Sequence, residues 1–290
     1  MKKSVFPFLM VVSLLLSSCV GRGIDEKMDE TLDMVEENMG YFNTYSTEEV
    51  AKLAGWFDRH SDKGRLAHAY YCLGRNQFND GNYSAAIVSY TKALENAEAV
   101  SDTLAVAKIC RDAARTCASA FNYTDQLLYL ARASAAFKSA GYESEAGETL
   151  LLLGKTQLSL GKMDEAEEIF KSVLYEAHEL CDTLLEAGCL RAYAGLEVTR
   201  DDPSPSLAIE MMGRAADDLL FPLDATDKGI LSYAYSLAGN QKEARKWLSL
   251  SKMAAETEEE MAEVSFREYQ IAVRSGDTEK ALSALEKVVE

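Results

Sequence analysis

Residues 73–94 read LGRNQFNDGNYSAAIVSYTKAL, and residues 153–174 read LGKTQLSLGKMDEAEEIFKSVL. Both stretches open with leucine-glycine and carry a second glycine seven residues later. An alanine and an aromatic residue then follow five and nine residues after that second glycine. The two stretches begin 80 residues apart, which is twice 40. Because self-similarity with a period of 20–50 residues is typical of repeat proteins, we expect an array of units of about 40 residues.

In each unit, apolar residues recur at three- and four-residue spacing on both sides of the second glycine. This spacing predicts two helices joined by a tight turn. Gly81 would supply the positive φ that the turn needs. A small residue at Gly74 would let the two helices approach closely, and Tyr90 would fill the groove toward the next pair. Asp102 and Asp182 stand where helix N-caps are needed.

Weaker copies continue the array around Gly239 and Gly276, and degenerate copies lie near 107–146 and 187–225. In its small and aromatic positions the pattern resembles the tetratricopeptide repeat (TPR), over about residues 61–290. The resemblance implies an all-α fold, a right-handed α-solenoid of TPR-like helical hairpins.

In TPR stacks, set positions on the first helix of each hairpin line a concave groove, so the resemblance also implies which side chains lie there. The groove residues that it implies are His68, Tyr71, Arg75, Lys108, Arg111, Arg115, Lys155 and Arg191. Most of them are cations, and arginine suits carboxylate recognition. We therefore expect a groove for an acidic peptide, a C-terminal carboxylate or an anionic glycan. The alternative is that these cations only neutralise acidic neighbours on their own helices.

The first residues predict a secreted, lipid-anchored protein. Two lysines precede an apolar run at 5–16, which is too short to span a bilayer and fits a signal peptide. The run ends in Leu16-Ser17-Ser18-Cys19, which resembles the bacterial lipobox. We expect a signal peptide at 1–18, lipidation (palmitate) of Cys19 and a tether at 19–24. The chain would be held on the periplasmic side, and Val20, in place of aspartate, favours the outer over the inner membrane.

The chain has a formal charge of −17 and 48% hydrophobic residues. The hydrophobic content allows a sizeable core, and the charge excludes the basic footprint of a nucleic-acid binder. Residues 25–60 predict an N-terminal helical pair, with an apolar stripe of Met28, Leu32, Val35 and Met39. The apolar spacing of residues 278–290 predicts a last helix. No polar helix follows it in the sequence to cover its apolar residues. We expect either a partner or a homodimer through 278–290 to cover them.

Neither the cysteines nor the histidines have the spacing of a metal or redox site. Besides Cys19 the sequence holds Cys72, Cys110, Cys117, Cys181 and Cys189, which form no CxxC pair. We expect buried thiols that behave as small apolar residues. No phosphate loop, zinc motif or nucleophile elbow is present. We therefore expect no cofactor, no metal and no catalytic site.

These features favour a non-enzymatic TPR scaffold that is anchored to the membrane in the periplasm and docks a protein or peptide. The combination resembles a family of TPR lipoproteins and TPR-containing regulators of certain Gram-negative bacteria. Two alternatives stay open. One is an outer-membrane lipoprotein that captures a glycan or peptide. The other is a truncated regulator, because many members of that family continue into a membrane helix and a cytoplasmic region.

Overall fold

The computed structural model describes residues 27–35, 37, 45–60 and 63–289. The expected signal peptide, the lipidated Cys19 and the tether at 19–24 lie outside these residues, as does Met39. Within the described part of the chain every regular element is helical and no strand occurs. The predicted all-α class is therefore confirmed. None of the helices described is both long and apolar enough to cross a bilayer.

The helices follow one another through short connections. Residues 27–35 are helical and form α1. The others are α2 (Thr47–His60), α3 (Lys63–Asn79), α4 (Tyr83–Ala99), α5 (Thr103–Ser119), α6 (Tyr123–Ser139), α7 (Glu143–Ser159), α8 (Met163–Leu180), α9 (Thr183–Thr199), α10 (Pro205–Gly213), α11 (Ala225–Leu237), α12 (Gln241–Ala254), α13 (Glu258–Ser275) and α14 (Thr278–Val289). From α3 onward they pair as hairpins, α3 with α4 through α13 with α14.

The chain divides into two compact units after Gly141, inside the array expected over 61–290. Unit 1 contains α1 to α6, and unit 2 contains α7 to α14. In unit 1 the first helices of the two hairpins, α3 and α5, contact each other. In unit 2 the first helices α7, α9, α11 and α13 contact one another in that order. We call the surface that these helices form the first-helix face of each unit.

The N-terminal helices of unit 1 pack as their apolar spacing predicts. Leu32 and Val35 of α1 are buried in one cluster with Phe57 of α2 and with residues of α3. Helix α2 begins after Ser46, whose hydroxyl accepts a hydrogen bond from the backbone N–H of Glu49 at 3.3 Å. The Glu49 carboxylate in turn accepts the Ser46 backbone N–H at 2.8 Å. This reciprocal cap fixes the start of α2.

Two glycines allow close helix contact inside hairpins. A Cβ added at Gly74 would lie 2.6 Å from Cε1 of Tyr90, whose side chain is fully buried. The equivalent glycine of unit 2, Gly154, would place its Cβ 2.6 Å from Cε1 of Phe170, which is buried as well. The aromatic ring of each second helix therefore occupies the space that a side chain on the first helix would need.

The predicted turn glycines have the predicted backbone. Gly81, Gly161, Gly239 and Gly276 all have φ between 74° and 80°. Phe121 lies midway in sequence between Gly81 and Gly161, at the turn of the intervening repeat, where a positive φ is also needed. It adopts φ 55° and leaves its side chain 80% exposed. The turn between the two helices therefore requires the left-handed conformation even at a phenylalanine, a residue type that rarely adopts a positive φ.

The fourth hairpin departs from the others. Pro205 begins α10, which is short and continues into a π-helical turn at Arg214–Asp218. An ion pair between Arg214 and Glu186 joins this turn to α9. The loop that follows brings Asp224 to the first-helix face at the start of α11.

Candidate functional site

The eight residues expected to line a groove all lie on first helices. In unit 1, α3 carries His68, Tyr71 and Arg75, and α5 carries Lys108, Arg111 and Arg115; in unit 2, α7 carries Lys155 and α9 carries Arg191. Neighbouring first helices contact each other within each unit. The residues of one unit therefore lie on neighbouring first helices.

A small pocket brings three of these residues of unit 1 together. His68 and Tyr71 from α3 and Lys108 from α5 line it, with Asp102 and Leu104 at the start of α5 among their neighbours. Its volume is about 90 Å³. Pockets that enclose a small-molecule ligand usually measure about 300–1,000 Å³. This pocket can admit the tip of a side chain but not a whole peptide residue or a sugar.

Asp112 organises the polar contacts at the centre of the unit 1 face. The Tyr71 hydroxyl donates a hydrogen bond to Asp112 Oδ2 at 2.8 Å, and Arg75 Nε lies 3.5 Å from the same oxygen. Asp112 is only 9% exposed. Burial, and next the negative charge of Asp112, raises the pKa of Tyr71 well above its usual value. Tyr71 therefore serves as a neutral hydrogen-bond donor.

Arg111 and Arg115 stack on aromatic rings. The Arg111 Cζ lies 5.1 Å from the ring centroid of Phe137, and the Arg115 Cζ lies 4.5 Å from that of Phe78. Within the described part of the chain neither arginine forms an ion pair, and neither does Lys108. A cation over a ring keeps its full charge. This part of the face is therefore free to attract acidic groups.

Unit 2 holds a larger pocket on its first-helix face, which we call the unit 2 pocket. Its volume is about 440 Å³, within the range of pockets that enclose ligands. The charged side chains that line it are Lys155, Arg191, Asp224, Asp227, Glu263 and Arg267. The neutral wall includes Leu158, Gly195, Thr199 and Ile230.

The centre of this pocket is an arginine held between two aspartates. Arg191 Nη2 lies 2.5 Å from the Asp227 carboxylate and also contacts the Asp224 carboxylate. The same two aspartates form a reciprocal cap at the start of α11. Asp227 is almost fully buried, and burial raises its pKa although Arg191 opposes that shift. The cap and the ion pairs together fix the position of the Arg191 side chain.

Two further cations of the pocket have acidic neighbours but no close ion pair, since Glu263 acts on Arg267, and Asp227 and Asp224 act on Lys155. Neither Lys155 nor Arg267 forms an ion pair with any described residue. Arg267 donates from Nη1 to the side-chain oxygen of Gln270 at 2.8 Å, and its buried Nε has no acceptor. Burial lowers the pKa of Arg267, and burial together with the nearby Arg191 lowers that of Lys155. Both charges are thus incompletely compensated by the protein.

Sequence reasoning missed Asp112, Asp224, Asp227 and Arg267. The groove positions were assigned only on the first four hairpins. Continuing from Arg191 in steps of 36 and then 40 residues reaches Asp227 and Arg267. Asp112 was missed because it directly follows Arg111 and is not at one of the assigned groove positions. The carboxylates that pair with Arg75 and Arg191 belong to other helices or their caps, rather than to residues one turn away on the same helix.

The thiols lie in apolar surroundings. Cys72, Cys110, Cys117 and Cys189 are buried, while Cys181 is exposed at the end of α8. Burial raises the pKa of Cys110 and Cys189 to about 12. In the part of the chain that the structure describes, no three histidine, cysteine or acidic side chains come together as a metal site would require.

Comparison with known protein families identifies the repeats. The family model described as tetratricopeptide repeat matches residues 67–99 and 147–177. These segments coincide with α3–α4 and α7–α8, the two hairpins that carry the close glycine–aromatic contacts. The chain contains tetratricopeptide repeats. The TPR resemblance is thereby confirmed at those two hairpins, and what matches is a repeat rather than a catalytic domain.

Solved structures share the TPR-like fold. Aspartyl phosphate phosphatase F from Bacillus subtilis is 18% identical, with a TM-score of 0.54 over 79% of this chain and 60% of that one. The Rap conjugation gene regulator of the plasmid pLS20, in complex with the Phr* peptide, is 16% identical, with a TM-score of 0.56 over 79% of this chain and 64% of that one. This chain therefore spans less than two thirds of either protein.

A tetratricopeptide repeat protein from Parabacteroides merdae covers more nearly the same length. It is 17% identical, with a TM-score of 0.54 over 83% of this chain and 91% of that one. At these identities the likeness concerns the fold alone. Among curated proteins none matches the chain by sequence.

Proposed function

We propose that this protein is a non-enzymatic TPR scaffold whose first-helix faces dock a peptide or protein that carries acidic groups. The observation that carries the proposal is the set of cations on these faces that form no ion pair with a described residue. In unit 1 these cations are Lys108, Arg111 and Arg115. In unit 2 they are Lys155 and Arg267. In a chain with a net charge of −17, cations on the first-helix face of each unit favour an acidic partner.

The fold supports the same proposal. A stack of helical hairpins presents an extended face on which a chain can lie, as repeat arrays commonly do. One structure with this fold is a regulator in complex with a peptide. Arginines that stack on rings, such as Arg111 and Arg115, are partly preorganised and lose little conformational freedom when they bind a carboxylate.

Glycan capture receives less support from the unit 1 face. Sugars bind to exposed aromatic rings. The two candidate rings, Tyr71 and Phe78, already contact other side chains of the protein. Tyr71 is half-buried and bonded to Asp112, while Phe78 lies beneath Arg115 and beside Tyr83, with 5.6 Å between the two ring centroids. We therefore favour a peptide or protein over a glycan.

The test compares partner capture in wild-type protein and in Arg111→Glu/Arg115→Glu, by in-cell cross-linking and purification from the membrane fraction. We expect the variant to lose one discrete partner that the wild type retains. Lys242→Glu/Arg245→Glu, which changes the same charge on the exposed surface of α12, is the matched control. Equal capture by both variants, with unchanged circular dichroism, would remove the unit 1 face from the proposal.

We also propose that Cys19 is lipidated and anchors the protein on the periplasmic side, in the outer membrane in preference to the inner one. The support is the order of lysines, apolar run, small residues and cysteine in the sequence. Metabolic labelling with an alkyne fatty acid should label the wild type and leave Cys19→Ser unlabelled. Density fractionation then assigns the membrane. Equal labelling of the variant would refute lipidation at this cysteine.

The last helix supports a proposed homodimer through residues 278–290. Ala281 and Ala284 of α14 are buried, whereas Leu282 is 60% exposed and Leu285 is also exposed. A second copy would remove these leucines from water. Light scattering at high concentration should give twice the mass of the chain, and Leu282→Glu should halve it. A monomeric wild type would refute the dimer.

A further inference from the structure

The segment between the π-helical turn and α11 is entirely apolar. Residues 219–223 read LLFPL and stand between Asp218 and Asp224. Leu220 is 82% exposed, and Pro222 is exposed as well. Runs of apolar residues at the surface of a folded domain commonly mark a site where a ligand or partner binds. This segment is therefore a candidate binding element outside the first-helix faces.

The backbone of the segment is held in a conformation that its residues do not favour. Leu220 has φ 53°, a left-handed value that leucine rarely adopts. The N–H of the next residue, Phe221, donates a hydrogen bond to the carbonyl oxygen of Ala215 at 3.0 Å. The Phe221 ring centroid lies 4.9 Å from Cζ of Arg191. These contacts fix the segment while Leu220 stays exposed, and backbone strain that persists in this way is concentrated at functional sites.

An apolar pocket lies against the segment, and we call it the Trp247 pocket. Its volume is about 360 Å³, within the range of pockets that enclose small molecules. Ala216 and residues 220–223 form its apolar wall, and Lys228 of α11 and Trp247 of α12 complete it. The Trp247 pocket and the unit 2 pocket have no lining residue in common.

The two polar side chains of the Trp247 pocket are both hydrogen-bond donors. The buried Nε1 of Trp247 has no acceptor among the described residues, and an unsatisfied buried donor is costly. Lys228 forms no ion pair with a described residue, and the described chain contributes no acidic side chain to the lining. A ligand that complements these donors therefore carries an acceptor, and the lysine favours one with a negative charge.

We propose that the Trp247 pocket binds a small carboxylic acid with an apolar body, of the size of a medium-chain fatty acid. The apolar body lies against residues 220–223 and the indole ring, and its removal from water supplies most of the affinity. The carboxylate faces Lys228, with the Trp247 N–H as a second donor. The inference does not depend on the proposed docking function, because none of the docking cations lines this pocket.

The test uses the indole N–H signal of Trp247 in the purified full chain. The sequence contains two tryptophans, so Trp56→Phe leaves Trp247 as the source of one indole signal in a ¹⁵N-resolved NMR spectrum. The probes are octanoate, octylammonium and acetate. We expect octanoate to shift the signal saturably and to bind at least about tenfold more tightly than octylammonium, which corresponds to about 1.4 kcal/mol. Acetate, which lacks the apolar body, should cause no shift at the same concentration.

Two variants test the donors, with binding of octanoate measured by calorimetry. Lys228→Gln should weaken octanoate binding about tenfold and leave octylammonium binding no weaker than in the wild type. Trp247→Phe keeps an aromatic ring but removes the N–H, and it should also weaken octanoate binding while circular dichroism stays unchanged. Lys242→Gln on α12 removes an exposed charge outside the pocket and should change binding less than twofold. Equal binding of octanoate and octylammonium, or equal loss in Lys228→Gln and Lys242→Gln, would overturn the proposal.

A further variant separates a small ligand from a macromolecular contact. Leu220→Ser should weaken octanoate binding and leave the mass measured by light scattering unchanged. If octanoate causes no shift and Leu220→Ser lowers that mass, the segment contacts a second copy of the chain and the ligand site is wrong. If octanoate causes no shift and the variant loses a cellular partner that the wild type captures, the segment is part of the docking surface instead, and the ligand site is again wrong.

Discussion

Gly74→Ala tests whether the close contact between α3 and α4 sets the repeat geometry. The new methyl group would lie 2.6 and 2.7 Å from two ring carbons of Tyr90. Real Cβ atoms do not approach that closely, so either the ring or the helix has to move. The Tyr90 side chain is fully buried, which leaves its ring no path toward solvent.

The expected magnitude follows from two opposing effects. In a helix interior, alanine is more stable than glycine by about 0.5–1 kcal/mol. Overpacking a closed core costs about 1–3 kcal/mol, and two short contacts with a trapped ring place this site near the upper value. We therefore expect Gly74→Ala to lower the free energy of unfolding by about 2 kcal/mol.

Gly55→Ala is the matched control. Gly55 lies inside α2, and a Cβ there would meet no atom within 4 Å. It should gain about 0.5–1 kcal/mol from helix propensity alone. Urea unfolding followed by circular dichroism gives both values. If Gly74→Ala proved as stable as Gly55→Ala, the contact with Tyr90 would not be what requires glycine at this position. Tyr90→Leu in the same background should recover part of the loss, as coupled neighbours do.

Three other perturbations have expected outcomes. Asp182→Ala removes the N-cap of α9 and should lower the free energy of unfolding by about 1 kcal/mol in urea titration, whereas Asp182→Asn should retain most of it. Iodoacetamide should modify Cys181 well before the four buried thiols, as peptide mass spectrometry would show, and equal rates would contradict their burial. Lys171 and Arg200 hold the pKa of the Glu167 carboxyl at about 2, below its unfolded value, so this stabilisation is present above about pH 4.5 and is lost as the pH falls toward 2. Glu167→Gln should therefore be less stable by about 1–2 kcal/mol at pH 7, after allowance for screening, and the difference should disappear in an acid titration.

Local chemistry explains which parts of the fold were predictable. A glycine at Gly81 or Gly161 and an aspartate at Asp102 act through their own backbone and immediate neighbours, so their roles can be assigned from residue type and spacing. Phe121 shows the limit of this reasoning. Nothing about phenylalanine favours a left-handed backbone, and only the 40-residue period marks its position.

The candidate site was only partly predictable because its partners meet through space. The period placed Lys155 and Arg191 on first helices, but which acids neutralise them depends on how successive helices pack. Asp227 faces Arg191 across 36 residues of chain, and Arg267 stands one hairpin farther on. The repeat near 187–225 is degenerate, so its spacing does not predict the π-helical turn that precedes Asp224.

The contact pattern of the hairpins has a consequence for how the chain acquires its structure. Within each unit a hairpin packs mainly against the hairpins before and after it, so most contacts join residues that are near in sequence. Low contact order favours fast folding in small helical domains, because little loop entropy is lost before contacts form. A growing chain can therefore bury each hairpin against the one synthesised just before it, and only about one repeat of apolar surface needs protection at a time.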